Sequence, residues 1–199
     1  MSHIAAIRDA LAHQRPQAFE EETRHRAAVS LVLCEENAAA HLLFIQRAEH
    51  PDDPWSGHIA FPGGRIEEDD ASPRHAAERE TLEEVGLDLD TADYLGHLAD
   101  ITAANFPVLV SGFIYHVGAH STLRPNFEVR EIFWMSLDKL SSPQRQVEHI
   151  FSLRDSEHTF PAIDLLGPER PVLWGLTYRF VGRLLRLLDR EIPQCYPDV

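Results

Sequence analysis

The segment of residues 72–86 constrains the fold more than any other part of this chain, because both of its ends carry helix signals. Ser72 is a residue type that caps helix N-termini, and Pro73 follows at the first helical position, where its missing N–H loses no hydrogen bond. Gly86 readily adopts the left-handed conformation that ends many helices. The sequence therefore predicts a helix over residues 73–85.

Three glutamates crowd the C-terminal half of this helix. Glu80 is separated from Glu84 by one helical turn and from Glu83 by slightly less, so the three side chains share one surface. Each like-charged pair costs about 0.2–0.5 kcal/mol, and the helix dipole also opposes anions at this end. A divalent cation such as Mg²⁺ or Mn²⁺ would offset this repulsion, as would pairing with Arg79. The alternative is a solvated acidic helix face.

A glycine pair just before the helix favours the ligand-binding interpretation. Gly63 and Gly64 follow Pro62 at the end of a short strand over residues 58–61. Glycine lets the backbone approach a ligand closely or adopt positive φ angles. We therefore expect the end of this strand to lie close to the glutamate-bearing helix.

Hydrophobic patterning along the chain predicts an α+β protein with a mixed sheet, because strands outnumber helices and do not alternate with them in βαβ order. The strand candidates are residues 27–33, 41–47, 58–61, 93–101, 107–117, 128–135, 147–152 and 170–174, and the further helix candidates are residues 2–13 and 176–190. No linker divides the chain, so residues 1–199 are expected to form a single domain with a short N-terminal helix and a C-terminal helix.

Composition argues against several classes of partner. The net charge is −14 and Lys139 is the single lysine, so bulk electrostatics do not favour binding to nucleic acid or to an anionic membrane. No run approaches the ~18 consecutive apolar residues of a membrane helix, and residues 1–9 lack the pattern of a signal peptide. Cys34 and Cys195 are too few for a disulfide framework. The prediction is a cytoplasmic protein with no nucleic-acid or membrane partner.

Residues 64–87 resemble the Nudix box, whose form is Gly, five residues, Glu, seven residues, then Arg-Glu-apolar-x-Glu-Glu-x-Gly-apolar. Its second half is matched by Arg79, Glu80, Glu83, Glu84, Gly86 and Leu87, with Thr81 in place of the usual apolar residue. In the first half, five residues after Gly64 lead to Asp70 instead of glutamate, and eight residues instead of seven separate Asp70 from Arg79.

The one-residue expansion resembles the coenzyme A diphosphatase branch of this family. That branch also carries a Gly-Gln-Val-x-Phe-Pro-Gly-Gly element. Residues 57–64 (Gly-His-Ile-Ala-Phe-Pro-Gly-Gly) are similar to it, with His58 in the glutamine position. The leucine-rich upstream element of the branch is loosely matched by residues 43–48.

The resemblance implies the Nudix fold, in which a mixed sheet lies between helices, over roughly residues 25–190. It implies Glu80 and Glu84 as metal ligands, with Glu83 as a further ligand or the base that orients water. The backbone carbonyl of Gly63 would be another ligand. Bound Mg²⁺ or Mn²⁺ would neutralise a diphosphate and lower the pKa of the attacking water.

Four further charged residues receive roles by the same resemblance. Asp70 would support the site in place of the family's upstream glutamate, and Arg79 would hold the glutamates through salt bridges. Nudix enzymes often draw an additional base from a loop on the side where Glu128 and Glu131 lie. For these two residues a pair of solvated surface charges is the favoured alternative.

Candidates for substrate binding lie around the glycine pair. Arg47 ends a strand that faces this loop and Arg65 follows it, and a planar guanidinium can hold phosphate through two parallel hydrogen bonds. His58 is expected either to contact phosphate or to be a hydrogen-bonded structural residue. Trp55 would stack on a base or pack into the core, and Phe61 is expected in the core.

We predict a metal-dependent pyrophosphohydrolase that cleaves the diphosphate linkage of a nucleoside diphosphate derivative, with coenzyme A or its derivatives as the first candidate. The alternatives within this class are ADP-ribose, dinucleoside polyphosphates and nucleoside triphosphates. A Nudix-fold sensor that binds a nucleotide without cleaving it is the alternative from another class, and the complete set of carboxylates argues for an enzyme. The expected partner is a small-molecule nucleotide, and a homodimer is an assembly that the sequence allows.

Overall fold

A computed structural model describes residues 2–13, 25–51, 55–103, 106–118, 122–153 and 156–194. Its helices are α1 (His3–Ala12), α2 (Pro73–Val85), α3 (Leu137–Leu140) and α4 (Gly175–Arg186). Its strands are β1 (His25–Glu36), β2 (Ala39–Arg47), β3 (Ile59–Ala60), β4 (Gly63–Arg65), β5 (Asp93–Ala103), β6 (Phe106–Val117), β7 (Val129–Ser136), β8 (Gln146–Leu153) and β9 (Ser156–Ile163). Short 3₁₀ turns occur at Leu89–Thr91 and Pro143–Arg145.

The central sheet is mixed, as the patterning predicted. β1 runs parallel to β6 and antiparallel to β2, and its N-terminal half also pairs with β4. β5 completes one edge by pairing antiparallel with β6, while β3 and β7 both pair antiparallel with β2. β8 and β9 form a separate antiparallel hairpin.

Both faces of the central strand are covered, which is why β1 reads as a continuous apolar run. Leu31 and Leu33 point into a core shared with α1 and α4, whereas Val32 and Cys34 point into a second core shared with α2. Successive side chains of a strand alternate between its two faces, so each core receives every second residue of β1. The predicted arrangement of a mixed sheet between helices is confirmed.

The structure differs from the sequence-based expectation in the C-terminal third. Residues 170–174 are not a strand, since Leu173 makes only an isolated bridge to Ile163. The strand β9, which was not predicted, pairs instead with β8 along its full length. The sequence of β9 contains Pro161 and several polar residues, so it lacks the run of β-forming residues that is typical of a strand. Its structure therefore depends on pairing with β8 more than on its own residues.

Two smaller expectations also change. The residues Gly63–Arg65, predicted as a glycine turn, form β4 against β1, and the last helix ends at Arg186 instead of residue 190. No helix in the described part of the chain is long and apolar enough to cross a membrane. Cys34 is a buried free thiol, and Cys195 lies outside the described residues.

Candidate active site

Helix α2 carries the candidate site, and its ends are capped as predicted. The Ser72 hydroxyl accepts the backbone N–H of His75 at 3.1 Å, and Gly86 follows the last turn with φ 68°. In the interior, the Ser30 hydroxyl of β1 donates to the carbonyl of Ala77 at 3.1 Å. The hydrogen bond from Ser30 holds α2 against β1. The last turns of α2 thereby lie beside β4.

Asp70 and Arg79 form an ion pair with two hydrogen bonds. Arg79 donates from Nε to Asp70 Oδ1 at 3.1 Å and from Nη2 to Asp70 Oδ2 at 3.0 Å. The backbone N–H of Glu67 also donates to Asp70 Oδ2, at 2.8 Å. The hydrogen bonds from Arg79 lower the pKa of Asp70 to about 2, although burial alone would raise it. Asp70 therefore stays anionic and orients the guanidinium.

The same guanidinium also contacts the glutamates of α2. Arg79 donates from Nη1 to Glu80 Oε1 at 3.0 Å and to Glu83 Oε2 at 3.3 Å. Its Nη2 also donates to the backbone carbonyl of Arg65 at 3.2 Å. The hydrogen bond with Asp70 is the largest cause of a raised pKa for Arg79. The salt bridges that the resemblance implied are present.

Glu84 is a buried carboxyl group beside the glycine pair. The residue is 2% exposed, and its Oε2 accepts the backbone N–H of Gly63 at 2.9 Å. Burial raises the pKa of Glu84 to about 8, because the hydrogen bond from Gly63 only partly offsets the loss of water. The negative charge of Glu80 raises this pKa further, whereas the positive charge of Arg47 lowers it.

Glu80 lies directly over Gly64, and this contact explains the second glycine. A Cβ at Gly64 would lie 2.4 Å from Glu80 Oε1, so any side chain there would displace the carboxylate. Burial raises the pKa of Glu80, while its hydrogen bond from Arg79 acts in the opposite direction. Gly63 is constrained differently, because its φ of 150° and a clash of 2.3 Å with the Ala28 carbonyl exclude other residues.

Glu83 does not share the environment of the other two glutamates. Its side chain is 54% exposed, and the contact with Arg79 turns it away from Glu84. Among the described residues, no three His, Cys, Asp or Glu side chains are arranged to hold a metal ion. Glu80 and Glu83 still share Arg79 Nη1, so the three glutamates lie close together as expected, but helical spacing did not determine how deeply each side chain is buried.

Two charged residues from other elements act on the buried pair. The charge of Arg47, at the end of β2, lowers the pKa of Glu84, whereas Glu128 raises the pKa of both Glu80 and Glu84. Backbone hydrogen bonds bring these segments together: Ala48 N–H donates to the Glu128 carbonyl at 2.7 Å. Glu128 itself is exposed, as expected for a solvated surface charge, yet its charge reaches both buried glutamates. The segment before it is bound to the end of α2, where Asn126 N–H donates to the Glu84 carbonyl at 3.0 Å.

His58 lies among aromatic rings. Its ring centroid is 5.8 Å from that of Trp55 and 5.3 Å from that of Trp174, both in edge-on arrangements. The backbone carbonyl of His58 accepts the N–H of Arg47 at 3.0 Å, which ties this residue to the end of β2. Phe61 is buried and stacks on Phe44, as expected for a core residue.

Gln46 is a positioning residue that the sequence reasoning missed. It is 2% exposed, and its Nε2 donates to the carbonyl of Gly57 at 3.2 Å. Arg170 donates from Nη2 to Gln46 Oε1 at 3.2 Å and also forms an ion pair with Glu131. A glutamine directly after a run of buried apolar residues in a strand was the signal available in the sequence.

The donor groups around Glu84 fit a divalent metal ion ligated by oxygen. Burial raises the pKa of both Glu80 and Glu84, and the charge of Glu80 raises the pKa of Glu84 further. A cation would reverse that effect by stabilising the ionised carboxylates. Mg²⁺ typically takes one or two protein carboxylates and completes its shell with water and substrate phosphate, so a third protein carboxylate is not needed.

Comparisons with known proteins match most of this chain to one domain family. The model of the NUDIX domain matches residues 24–154. The Mus musculus protein named mitochondrial coenzyme A diphosphatase NUDT8 is 35% identical over 170 residues, which cover 81% of this chain and 77% of that protein. Its Homo sapiens counterpart of the same name is 34% identical over 170 residues, covering 81% of this chain and 69% of that protein.

The same fold occurs in a solved structure. The crystal structure of a MutT/nudix family protein from Enterococcus faecalis superposes with a TM-score of 0.57 at 19% identity, covering 89% of this chain and 67% of that one. At this identity the likeness shows the fold alone. Together with the match over residues 24–154, it establishes that the chain belongs to the Nudix family and is a Nudix hydrolase, a pyrophosphohydrolase that acts on phosphoanhydride bonds.

Proposed function

We propose that this Nudix hydrolase cleaves the diphosphate linkage of coenzyme A or its derivatives, giving 3′,5′-ADP and 4′-phosphopantetheine from coenzyme A itself. The observation that carries the proposal is the similarity, over 81% of the chain, to proteins named coenzyme A diphosphatase. The expanded spacing between Asp70 and Arg79 and the element at residues 57–64 support the same branch.

Glu80 and Glu84 would hold the divalent ion, Mg²⁺ or Mn²⁺, with the Gly63 carbonyl as a further ligand. Such an ion neutralises phosphate charge and lowers the pKa of bound water when it is present. The protein's contribution is to keep the two carboxylates in place before the substrate arrives. Gly63 N–H holds Glu84 from one side, and Arg79 holds Glu80 from the other.

Asp70 and Arg79 would act as a positioning pair. Because Asp70 occupies the Nε–Nη2 edge of the guanidinium, the orientation of Arg79 is fixed and its Nη1 is directed to Glu80. Asp70 takes the role of the upstream glutamate of the family, and the extra residue between it and Arg79 is accommodated before α2 begins at Pro73.

Two residues are candidates for the base that accepts a proton from the attacking water. Glu83 is exposed and contacts Arg79, whereas Glu128 acts electrostatically on both buried glutamates. Comparing the pH profiles of kcat for Glu83→Gln and Glu128→Gln assigns the role: loss of the base removes the acidic limb of the profile.

Arg47, Arg65 and His58 would bind the substrate. A net charge of −14 disfavours an anionic substrate at long range, so local cations must supply the attraction. Arg47 is close enough to Glu84 to lower its pKa, which supports a role for its charge in binding the diphosphate. Arg65 is an exposed residue of β4, directly after Gly64.

A substrate panel tests the proposal. Under identical Mg²⁺ and salt concentrations, coenzyme A should show a higher kcat/KM than ADP-ribose or a nucleoside triphosphate, and chromatography should identify the two products. A tenfold advantage for ADP-ribose or a triphosphate, about 1.4 kcal/mol of transition-state preference, would overturn the coenzyme A assignment. The cleavage of a phosphoanhydride bond by the Nudix site would remain.

The cytoplasmic location, the single-domain organisation and a homodimer stay predictions. The two similar proteins are themselves named mitochondrial. Fractionation of cells that express the tagged full-length protein tests the location, and sedimentation analysis tests the oligomeric state.

A further inference from the structure

A cluster of aromatic rings lies at one end of the sheet, next to the catalytic segment. Its centre is Trp174, whose ring centroid is 4.6 Å from that of His149, 4.8 Å from Phe151 and 5.5 Å from Phe160. The cluster, which we call the aromatic patch, consists of Trp55, His58, His149, Phe151, Phe160 and Trp174.

These rings are not part of the buried core. All six belong to residues that are partly exposed, in contrast to Phe44, Phe61 and Phe180, which are almost fully buried. An enclosed aromatic ring buries 150–250 Å² of surface, and this burial stabilises the fold. By leaving six rings partly exposed to solvent, the protein loses part of that stabilisation. Grouped, partly exposed aromatic side chains are characteristic of ligand-binding surfaces.

The patch is continuous with the site that holds the carboxylates. His58 accepts a backbone hydrogen bond from Arg47, the residue whose charge acts on Glu84. Gly63, whose backbone N–H donates to Glu84, follows His58 by five residues. The Cα atoms of His58 and Gly63 are therefore at most roughly 18 Å apart. The patch and the carboxylates are therefore joined by a short, hydrogen-bonded stretch of chain.

Part of the patch lies outside the region that defines the family. The NUDIX model matches residues 24–154, whereas Phe160 and Trp174 follow it. The segment after β9 is fastened to the site by Arg170, which donates to the buried Gln46. A surface that is added to the common Nudix region and attached beside the catalytic residues is well placed to select the substrate.

We propose that the aromatic patch binds the purine base of the substrate by stacking, while Glu80 and Glu84 serve the diphosphate of the same molecule. The patch carries no carboxylate or guanidinium among its six members, so it matches an uncharged planar ring and not a phosphate. His58 thereby takes a place beside the base instead of the phosphate contact considered from the sequence. The inference rests on the proposed function only in that the substrate contains adenine.

Binding of two small probes to the full chain in the presence of Mg²⁺ tests this inference. AMP contains adenine and no phosphoanhydride bond, whereas ribose 5-phosphate lacks the base. The wild type should bind AMP at least tenfold more tightly than ribose 5-phosphate by isothermal titration calorimetry. Trp174→Leu should weaken AMP binding by about tenfold, within the range of base stacking on an aromatic side chain, and leave ribose 5-phosphate binding unchanged.

A matched control lies on the same hairpin. Ile150 is 61% exposed and lies between His149 and Phe151 in β8, so its side chain points to the opposite face of the strand. Ile150→Ala should bind AMP as the wild type does. If Trp174→Leu loses its circular dichroism signal or melts early, Trp55→Leu, in the turn at the edge of the patch, provides the same comparison.

The outcomes separate this inference from the coenzyme A assignment. If the wild type binds both probes equally, or if folded Trp174→Leu and Trp55→Leu keep full AMP affinity, the patch does not bind the base. Such a result leaves a preference for coenzyme A intact. Conversely, if ADP-ribose is the better substrate and AMP binding still depends on Trp174, the patch binds adenine and only the coenzyme A assignment fails.

Discussion

Asp70 and Glu84 are carboxylates beside the same helix whose pKa values move in opposite directions. Asp70 is a half-buried residue whose side chain is little exposed, whereas Glu84 is buried as a whole. The Asp70 side chain and the Glu84 residue are each 2% exposed. Two hydrogen bonds from Arg79 lower the pKa of Asp70 to about 2, whereas burial raises the pKa of Glu84 to about 8. The difference shows that the neighbouring cation, and not burial alone, decides whether a buried carboxylate is ionised.

This contrast assigns different tasks to the two groups. Asp70 has a permanent partner, so its charge contributes to the stability of the fold. Glu84 has one backbone N–H from Gly63 and the more distant charge of Arg47, so it remains available to a cation from solution. The predictions that follow test this division.

Removal of divalent metal is expected to have the largest effect. Chelation should abolish hydrolysis reversibly, and Mg²⁺ or Mn²⁺ should raise the melting temperature, because a cation relieves the repulsion between Glu80 and Glu84. A cation at a hundred times its Kd adds about 2.7 kcal/mol to the free energy of unfolding. Differential scanning fluorimetry and product chromatography with and without EDTA measure both effects. Full activity in excess chelator would contradict the role given to these glutamates.

Glu84→Gln should separate catalysis from folding. The substitution keeps the shape and an acceptor for Gly63 N–H but removes a charged ligand, so kcat should fall about a hundredfold or more. Stability in EDTA should hold or increase, because no buried carboxylate then has to ionise. Urea unfolding and steady-state kinetics provide the two measurements.

The control for this variant is on the same helix. Glu78 accepts hydrogen bonds from Arg74 at 2.8 Å and from the Tyr115 hydroxyl at 3.0 Å, away from the glycine pair. Glu78→Gln should lose some stability and keep its activity. A Glu84→Gln variant that turns over normally, or that unfolds in EDTA, would show that the assignment is wrong.

Asp70→Asn should give the opposite result for stability. At pH 7 the free energy of unfolding should fall by up to about 2 kcal/mol, which is the equivalent of lowering a carboxyl pKa from 3.8 to about 2. Because the folded-state pKa is depressed, this contribution is present above the unfolded-state pKa and is lost as pH falls through about 2. The difference between wild type and variant in urea unfolding should therefore shrink between pH 5 and pH 2. A constant difference would mean that Asp70 acts through its shape alone.

The pH dependence of the metal-free protein tests the protonation state of Glu84 directly. The folded-state pKa of Glu84 is raised from 4.5 to about 8, so the folded state binds more protons and stability declines as pH rises through this window. In EDTA, the melting temperature of Glu84→Gln minus that of the wild type should grow by a few degrees from pH 5 to pH 8.5. A difference that stays flat would show that Glu84 is already ionised without metal.

Local signals in the sequence determined α2, its two caps and the apolar alternation of most strands. Ser72, Pro73 and Gly86 act on neighbouring backbone groups, and the periodicity of buried residues depends only on local geometry. The pairing of Arg79 with the glutamates also followed from a short motif. The strand β9 was missed and residues 170–174 were misassigned as a strand. Whether either segment is a strand depends on its hydrogen bonds to a partner strand, and the alternation of its own residues does not show that partner.

Only the tertiary structure decided which of the carboxylates are buried and what lies beside them. Glu83 and Glu84 are adjacent in the sequence, yet one is 54% exposed and the other is 2% exposed, because β4 and β1 cover only one side of α2. The approach of Glu128 to this pair and the contact of His58 with Trp174 likewise join segments that are far apart along the chain. Burial, ring contact and pKa depend on which surfaces pack together, and that packing is a property of the whole fold.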